Sequence, residues 1–324
     1  MHARKDLSIV YMGTPEFALE PLRAILEEGY TISAVVTAPD KPAGRGQKIS
    51  QSAVKIFAIE NGLTVLQPER LKDQYFINQI IDIKPDIIVV VAFRMLPEAV
   101  WKIPRLGTFN LHASLLPQYR GAAPINWAII NGEKSTGLTT FLIDQQIDTG
   151  SILCQEEVTI DADETAGELH DKLMKIGGRL VVQTIDNILT GKVLPKAQQN
   201  LMGTNAILRA APKLYKETCG IDWGKPAEQI HNHIRGLSPF PAAWTNLAGM
   251  DDSINTKIFR SSMVNNSQLN NDQGKISTDG KTFIHVHCGR GIISVEEIQI
   301  AGKRNLSVKD FLLGFRGIDG YTFR

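Results

Sequence analysis

The chain has 324 residues, 43% of them hydrophobic and 21% charged, with 35 Lys and Arg against 34 Asp and Glu. That length suits two domains, and the composition is that of an ordinary globular protein rather than a disordered or fibrous one. No stretch approaches a membrane span, residues 1–6 do not read as a secretion signal, and Cys154, Cys219 and Cys288 are too few and too scattered for a disulfide framework, so a cytoplasmic protein is expected.

The first half alternates short apolar runs with helical periodicity, the pattern of a parallel α/β sheet. Residues 7–12 predict a strand, and Leu19, Leu22, Ile25 and Leu26 a helix after the turn Gly13-Thr14-Pro15. A strand over 31–37, a helix over 52–59, a strand over 63–66 and a helix over 73–83 follow. Residues 86–93 (DIIVVVAF) are almost continuously apolar, as in a strand buried on both faces. Next come a strand over 107–112, a short helix over 124–130, strands over 136–143 and 151–159, and a long amphipathic helix over 165–189 that stops at Thr190-Gly191. Residues 192–205 are polar and without period, which reads as a linker. Beyond Lys213 the texture becomes β-rich: a helix over 227–235, then strands over 243–247, 256–260, 282–287 and 292–300 separated by turn signals. The expected organisation is an α/β domain with a Rossmann-like parallel sheet over 1–190, a linker over 191–208, and a smaller, OB-like β-barrel domain over 209–324. From Arg209 onward 15 basic residues face 11 acidic ones, a net of +4 against −3 before it. Such a difference suits a phosphate-bearing partner and equally suits chance.

The turn Gly13-Thr14-Pro15-Glu16 has one glycine, a Pro without an N–H and a Glu that would repel phosphate, so it disfavours a dinucleotide and reads as a Pro-initiated helix start with Gly13 at the bend. The loop Pro39-Asp40-Lys41-Pro42-Ala43-Gly44-Arg45-Gly46-Gln47-Lys48 sets two glycines around Arg45, with Lys41 and Lys48 nearby. It is either a solvated surface loop or a flexible cationic arm suited to a phosphodiester backbone. His285-Val286-His287-Cys288 lacks a second ligand pair at metal-binding spacing, and His231 and His233 diverge on a helix, so no metal is expected.

Asn110 and His112 sit two apart at a strand end, where their side chains share a face. Imidazole shuttles a proton near neutral pH, and an amide can hydrogen-bond a developing oxyanion. Asp148, 36 residues after His112 in Asp148-Thr149-Gly150, offers a carboxylate that could hold His112 in one tautomer. No Ser, Cys or metal cluster beside them has an obvious nucleophilic role, which favours direct acyl transfer to an amine over a covalent relay. Taken singly, His112 reads as a core histidine and Asp148 as a turn former.

Asn110-x-His112 followed by Ser114-Leu115-Leu116-Pro117-x-Tyr119-Arg120-Gly121, with Asp148-Thr149-Gly150 downstream, resembles the signature of the folate-dependent formyltransferases. The resemblance spans nearly the whole chain. It takes in Gly13-Thr14-Pro15-x-Phe17-Ala18, the Arg45 loop, Gly121-Ala122-Ala123-Pro124-Ile125, Ile221-Asp222-Trp223 and Pro239-x-Pro241-x-x-Trp244. The Gly44-Arg45-Gly46 loop and the second domain narrow it to members that act on a charged tRNA. The resemblance implies formyl transfer from 10-formyltetrahydrofolate to the α-amine of methionine on initiator methionyl-tRNA, by a monomer and without a metal. By it, Asn110 would stabilise the oxyanion, His112 would manage the amine proton, and Asp148 would orient His112 and favour its charged form. Ser114, Leu115, Leu116 and Pro117 would line the folate pocket together with Phe93, Met95 and Leu96. Lys41, Arg45 and Lys48 would meet the tRNA acceptor stem, and the basic second domain would hold the tRNA from outside. The family usually has Tyr-Gly where this chain has Phe93-Arg94, and Asp where it has Ser151, so Arg94 must point away from the ligand or meet its carboxylates. The rival readings are a formyltransferase for a small-molecule amine, such as an amino-sugar nucleotide or glycinamide ribonucleotide, and an RNA-binding module with a degenerate enzyme domain.

Overall fold

A computed structural model describes residues 6–43, 48–201, 207–250, 252–269 and 272–324. The loop Gly44-Arg45-Gly46-Gln47 lies outside the described residues. The chain divides into two compact units, one of Met1–Gly121, Gly137–Val158 and His170–Ala210, the other of Ala122–Thr136, Thr159–Leu169 and Ala211–Arg324. Two segments of the first half thus belong to the second unit, so no single cut in sequence separates them.

The first unit is built on a seven-stranded sheet. Its strands are β1 (Ser8–Gly13), β2 (Thr31–Val36), β5 (Val65–Leu66), β6 (Ile87–Val91), β7 (Thr108–His112), β9 (Ser135–Leu142) and β10 (Ile152–Thr159), and β3 (Lys41–Ala43), β4 (Lys48–Ser50) and the two-residue β8 (Arg120–Gly121) lie off it. The sheet order is β10-β9-β7-β6-β1-β2-β5, with β7-β6-β1-β2-β5 parallel and β9 antiparallel to β7. The β-branched run Ile-Ile-Val-Val-Val makes β6 buried at every position, which is why it lies centrally. Its helices are α1 (Leu19–Glu27), α2 (Ala53–Glu60), α3 (Gln74–Ile83), α4 (Glu98–Trp101) and most of α6 (Ala166–Leu189), while α5 (Pro124–Ile130) belongs to the second unit. Ser52 and Asp73 cap α2 and α3 by accepting from the backbone N–H of Lys55 (3.1 Å) and Tyr75 (3.0 Å), each cap being worth ~1 kcal/mol. Phe76 and Ile80 of α3 bury themselves on Val10, Met12, Ile88 and Val90 of the sheet; each such side chain contributes roughly 1.5–3 kcal/mol.

The order of strand succession reverses between β1 and β6, which run parallel, since β1 leads outward through β2 to β5 while β6 leads the other way to β7. At such a switch point the loops leaving the carboxyl ends part and open a crevice. Gly13 ends β1 there, and its role is close approach rather than a bend. A Cβ at this position would stand 2.6 Å from that of Ala18 and 3.1 Å from the Val91 carbonyl oxygen.

The second unit is an antiparallel barrel with a covering helix. Past β11 (Ala210–Ala211) come α7 (Ala227–Leu237), β12 (Ala243–Ala248), β13 (Ser253–Leu269), β14 (Ile276–Thr278), β15 (Ile284–His287), β16 (Arg290–Ile300), β17 (Leu306–Ser307), α8 (Val308–Gly314) and β18 (Thr322–Phe323). The order β14-β15-β16-β13-β12-β18 closes nearly into a ring, because Lys275 bridges Thr322 and the Phe323 N–H donates to the Gly274 carbonyl at 2.9 Å. Trp223 stacks on Phe323 at 5.4 Å in the core, its Nε1 donating to Thr245 Oγ1 at 3.0 Å. Helix α7 also packs on α5, where the Asn126 amide donates to the Gly236 carbonyl at 2.8 Å. No helix among the described residues is long and apolar enough to cross a membrane.

Candidate active site

Asn110 and His112 occupy the carboxyl end of β7, opposite Phe141 and Thr139 of β9. Strand periodicity turns both side chains to one face, Asn110 half-buried and His112 buried. His112 is fixed from two sides. Its Nε2 lies 2.9 Å from the Tyr119 carbonyl oxygen, and its Nδ1 lies 3.8 Å from Asp148 Oδ2. A carbonyl can only accept, so Nε2 carries the proton, and in neutral His112 the lone pair sits on Nδ1, beside the carboxylate. The bond that orients the ring therefore comes from Tyr119; Asp148 lies beyond hydrogen-bond length from it.

Asp148 is held independently of His112. Its Oδ2 accepts from the Gly121 N–H at 2.9 Å, and its backbone is left-handed at φ +56°. Ala92 at the end of β6 (φ +45°) and Tyr119 after β7 (φ +59°) share that sparsely populated conformation. Three non-glycine residues in the left-handed region around one sheet edge mark a backbone constrained by its surroundings, as functional sites are. Gly150 follows in the same turn, where a Cβ would fall 1.7 Å from the Leu142 carbonyl oxygen.

The turn also rests on a residue for which the sequence carries no signal. Gln198, in the stretch that reads as a linker, is buried at 2% exposure and donates from Nε2 to the carbonyls of Asp148 and Gly150, both at 2.9 Å. Its Oε1 accepts from Arg120 Nε (3.1 Å) and Nη2 (2.6 Å). Lys196 and Ile152 exchange backbone hydrogen bonds of 2.9 and 2.8 Å, which lays this stretch along β10. Farther on, Arg209 accepts the Tyr119 N–H through its carbonyl at 2.7 Å and donates its own N–H to Gln118 Oε1 at 2.9 Å.

The remaining candidates divide between the site edge and the core. Ser114 is fully buried and donates from Oγ to the Gln118 carbonyl (2.7 Å), bracing the loop from within. Thr139 Oγ1 donates to the Ser114 carbonyl (2.7 Å) and accepts from the Leu116 N–H (3.1 Å), while Gln155 Nε2 donates to the Leu116 carbonyl (2.9 Å). Leu116 is buried with Phe141 and Ile152, and Leu115 and Pro117 are half-buried. After β6, Leu96 belongs to the sheet core, Phe93 is half-buried against it, and Met95 is 72% exposed. Arg94 turns to its neighbours' backbone: Nη1 donates to the Glu69 carbonyl (3.0 Å) and Nη2 to that of Pro68 (2.8 Å), with burial pushing its pKa down and leaving its Nε unpartnered. Because β6 and β7 are neighbours, the 92–97 and 113–119 loops leave the same sheet edge.

Of the cationic candidates, Lys41 is exposed on β3 and Lys48 has its backbone in β4, which pair as a hairpin rather than an unstructured loop; Arg45 lies outside the described residues. Asp40 anchors one foot, its Oδ2 2.5 Å from Lys55 Nζ and its Oδ1 accepting from Gln67 Nε2 at 2.9 Å. The Lys55 and Gln67 hydrogen bonds hold its carboxyl below the usual carboxylate range. In the second unit His287 Nε2 lies 3.1 Å from Ser277 Oγ, and the His285 ring packs on Phe283 at 4.3 Å.

Comparison with known proteins gives the family. The formyl transferase family matches residues 7–185, and the formyl transferase C-terminal domain matches 213–316. The chain is 52% identical over 320 residues to a methionyl-tRNA formyltransferase of Bacteroides thetaiotaomicron, covering 98% of both chains. It is 49% identical over 322 residues to one of Bacteroides fragilis, covering 99% of both. Among solved structures, the N-formyltransferase of Helicobacter canadensis, crystallised with folinic acid and dTDP-3-aminofucose, superposes with a TM-score of 0.65 over 89% of this chain and 99% of that one; at 20% identity this shows a shared fold. With a Rossmann-like sheet, a following barrel and both family matches in place, the chain belongs to the formyl transferase family.

Proposed function

We propose that the protein transfers the formyl group of 10-formyltetrahydrofolate to the α-amine of methionine on initiator methionyl-tRNA, for initiation of translation. The observation that carries this reading is the end-to-end likeness, second domain included, to proteins named methionyl-tRNA formyltransferase. Residues 1–190 would perform the transfer, 191–208 would join the parts, and the barrel over 209–324 would hold the tRNA, the protein working as a monomer. Bound 10-formyltetrahydrofolate supplies an electrophilic formyl carbon. The crevice at the β1/β6 switch point suits a flat aromatic donor, with half-buried Phe93 and exposed Met95 on one loop and Leu115 and Pro117 on the other.

Asn110 donates its amide N–H to the formyl oxygen as charge develops there. As the α-amine bonds to the formyl carbon, neutral His112 accepts its proton at Nδ1, its other nitrogen being committed to the Tyr119 carbonyl. The C–N10 bond then breaks and the leaving tetrahydrofolate nitrogen takes up a proton, so that tetrahydrofolate and formyl-methionyl-tRNA result. The imidazolium so formed faces the Asp148 carboxylate across 3.8 Å, and their attraction stabilises it. Lys41, Arg45 and Lys48 would grip acceptor-stem phosphates.

The test incubates the enzyme with labelled 10-formyltetrahydrofolate and charged initiator and elongator Met-tRNA. Formyl-methionine on the initiator tRNA is expected; label passing only to a small amine would overturn the reading. His112→Ala is expected to lower kcat by roughly 10²–10⁴-fold with folding intact, and near wild-type turnover would remove His112 from the chemistry.

A further inference from the structure

We infer that Gln198 is a positioning residue for formyl transfer, locking the Asp148 turn to the Tyr119–Gly121 loop; this rests on the formyl-transfer reading above. A primary amide has two N–H donors and two lone pairs. Gln198 spends all four within the site, the donors on the carbonyls of Asp148 and Gly150 and the lone pairs on Nε and Nη2 of Arg120. This pattern also sets the orientation of the amide, because a flipped group would aim its oxygen at two carbonyls.

The contacts form a closed ring. The Tyr119 carbonyl accepts from His112 Nε2–H, the Gly121 N–H donates to the Asp148 carboxylate, and Arg120 between them is held by Gln198, which also donates to the Asp148 backbone carbonyl. Asp148 is thereby fixed at both ends, its carboxylate by Gly121 and its left-handed main chain by Gln198. The 3.8 Å separation of His112 Nδ1 and Asp148 Oδ2 is set by the two halves of this ring. Gln198 is buried and its amide is fully engaged by protein groups, so it acts through Asp148 and His112 and not on substrate. The Lys196–Ile152 backbone pair delivers it, so the polar stretch after α6 completes the site.

Gln198→Glu is the sharpest variant. It keeps the shape and the Arg120 partner, removes both donors, and sets a carboxylate oxygen against two carbonyls. In the full-length enzyme, with kcat normalised to folate-binding sites by titration, kcat is expected to fall roughly 10–100-fold. KM for 10-formyltetrahydrofolate and for initiator Met-tRNA should stay within about twofold. Gln198→Ala should show the same split, and adding Arg120→Ala to it should cost less than the product of the two single effects, since both belong to one network. Wild-type kcat per folate site in Gln198→Glu, or a loss lying wholly in KM, would overturn the inference. Should a variant fold poorly, site titration still reads the surviving fraction, and an unaltered kcat in that fraction also overturns it. Failure of the functional reading is separate: the wild-type enzyme itself would then leave Met-tRNA unformylated.

Discussion

At His112 one backbone carbonyl decides where the proton resides. The Tyr119 carbonyl accepts the Nε2–H hydrogen bond, which keeps that proton on Nε2 and leaves Nδ1 as the basic atom, on the side of Asp148. In the proposed transfer, a strand-end histidine held this way keeps its Nε2 proton and gains and loses a proton only at Nδ1. In the proposed transfer Asn110, two residues earlier on the same face, would have a different task, so its loss should be felt differently. Asn110→Ala is expected to lower kcat by roughly 10²–10³-fold while leaving 10-formyltetrahydrofolate affinity nearly unchanged, as steady-state kinetics with equilibrium binding would read. Gly150 shows how tightly the neighbouring turn is built. With a Cβ 1.7 Å from the Leu142 carbonyl, Gly150→Ala must displace backbone. A loss of roughly 1–3 kcal/mol in stability is expected from urea unfolding, with reduced kcat because Asp148 moves too.

Among the elements, the β3–β4 hairpin is held at both feet. Asp40 is tied to Lys55 of α2 and to Gln67 after β5, and the Ser52 hydroxyl, 2.9 Å from that of Thr37, ties the other foot to the sheet. These ties set where the strands leave the sheet edge, and so where Lys41 stands. If the hairpin grips tRNA, Asp40→Ala should raise KM for initiator Met-tRNA severalfold with 10-formyltetrahydrofolate binding unchanged; an unaltered KM would separate the hairpin from tRNA recognition. The loop after β6 follows the same logic, since Arg94 braces the Pro68–Glu69 backbone between half-buried Phe93 and exposed Met95.

At the scale of the whole molecule, the two units differ in how acid should affect them. His231 and His233 of α7 both have pKa values lowered from 6.5, chiefly because burial disfavours their charged forms. The unfolded chain therefore takes up protons first, so their contribution to stability is intact above about pH 6.5 and is lost as pH falls below it. Glu168 lies in a second window. The Thr165 backbone N–H and the Arg260 guanidinium lower its pKa to about 2, so its contribution is present above 4.5 and is lost as pH falls toward 2. Denaturation followed by Trp fluorescence at pH 8, 6 and 5 should show the second unit weakening, and His231→Gln with His233→Gln should flatten that dependence above pH 5. The barrel core supplies an independent check. Trp223→Ala removes the partner stacked on Phe323 and is expected to cost roughly 3–5 kcal/mol, read as a lowered unfolding midpoint of that unit.

The sequence by itself determined most of the strand and helix succession of the first half, because apolar periodicity and caps are local, but not the β3–β4 hairpin, α4, α8 or the full length of β13. The buried run of β6, the 124–130 helix and the long helix after Thr165 all stand where periodicity predicts them. Local, too, was the pairing of Asn110 with His112 on one face, and the family motif around it carried the chemistry. Tertiary structure decided what depends on distance. It brought Asp148 beside His112, made Tyr119 rather than Asp148 the group that orients the ring, and drew segments of the first half into the second unit. It also buried Gln198, one residue of a polar stretch without period, as a brace. A glutamine in such a stretch looks like any solvated residue, since only folding shows that its amide replaces water for four buried partners.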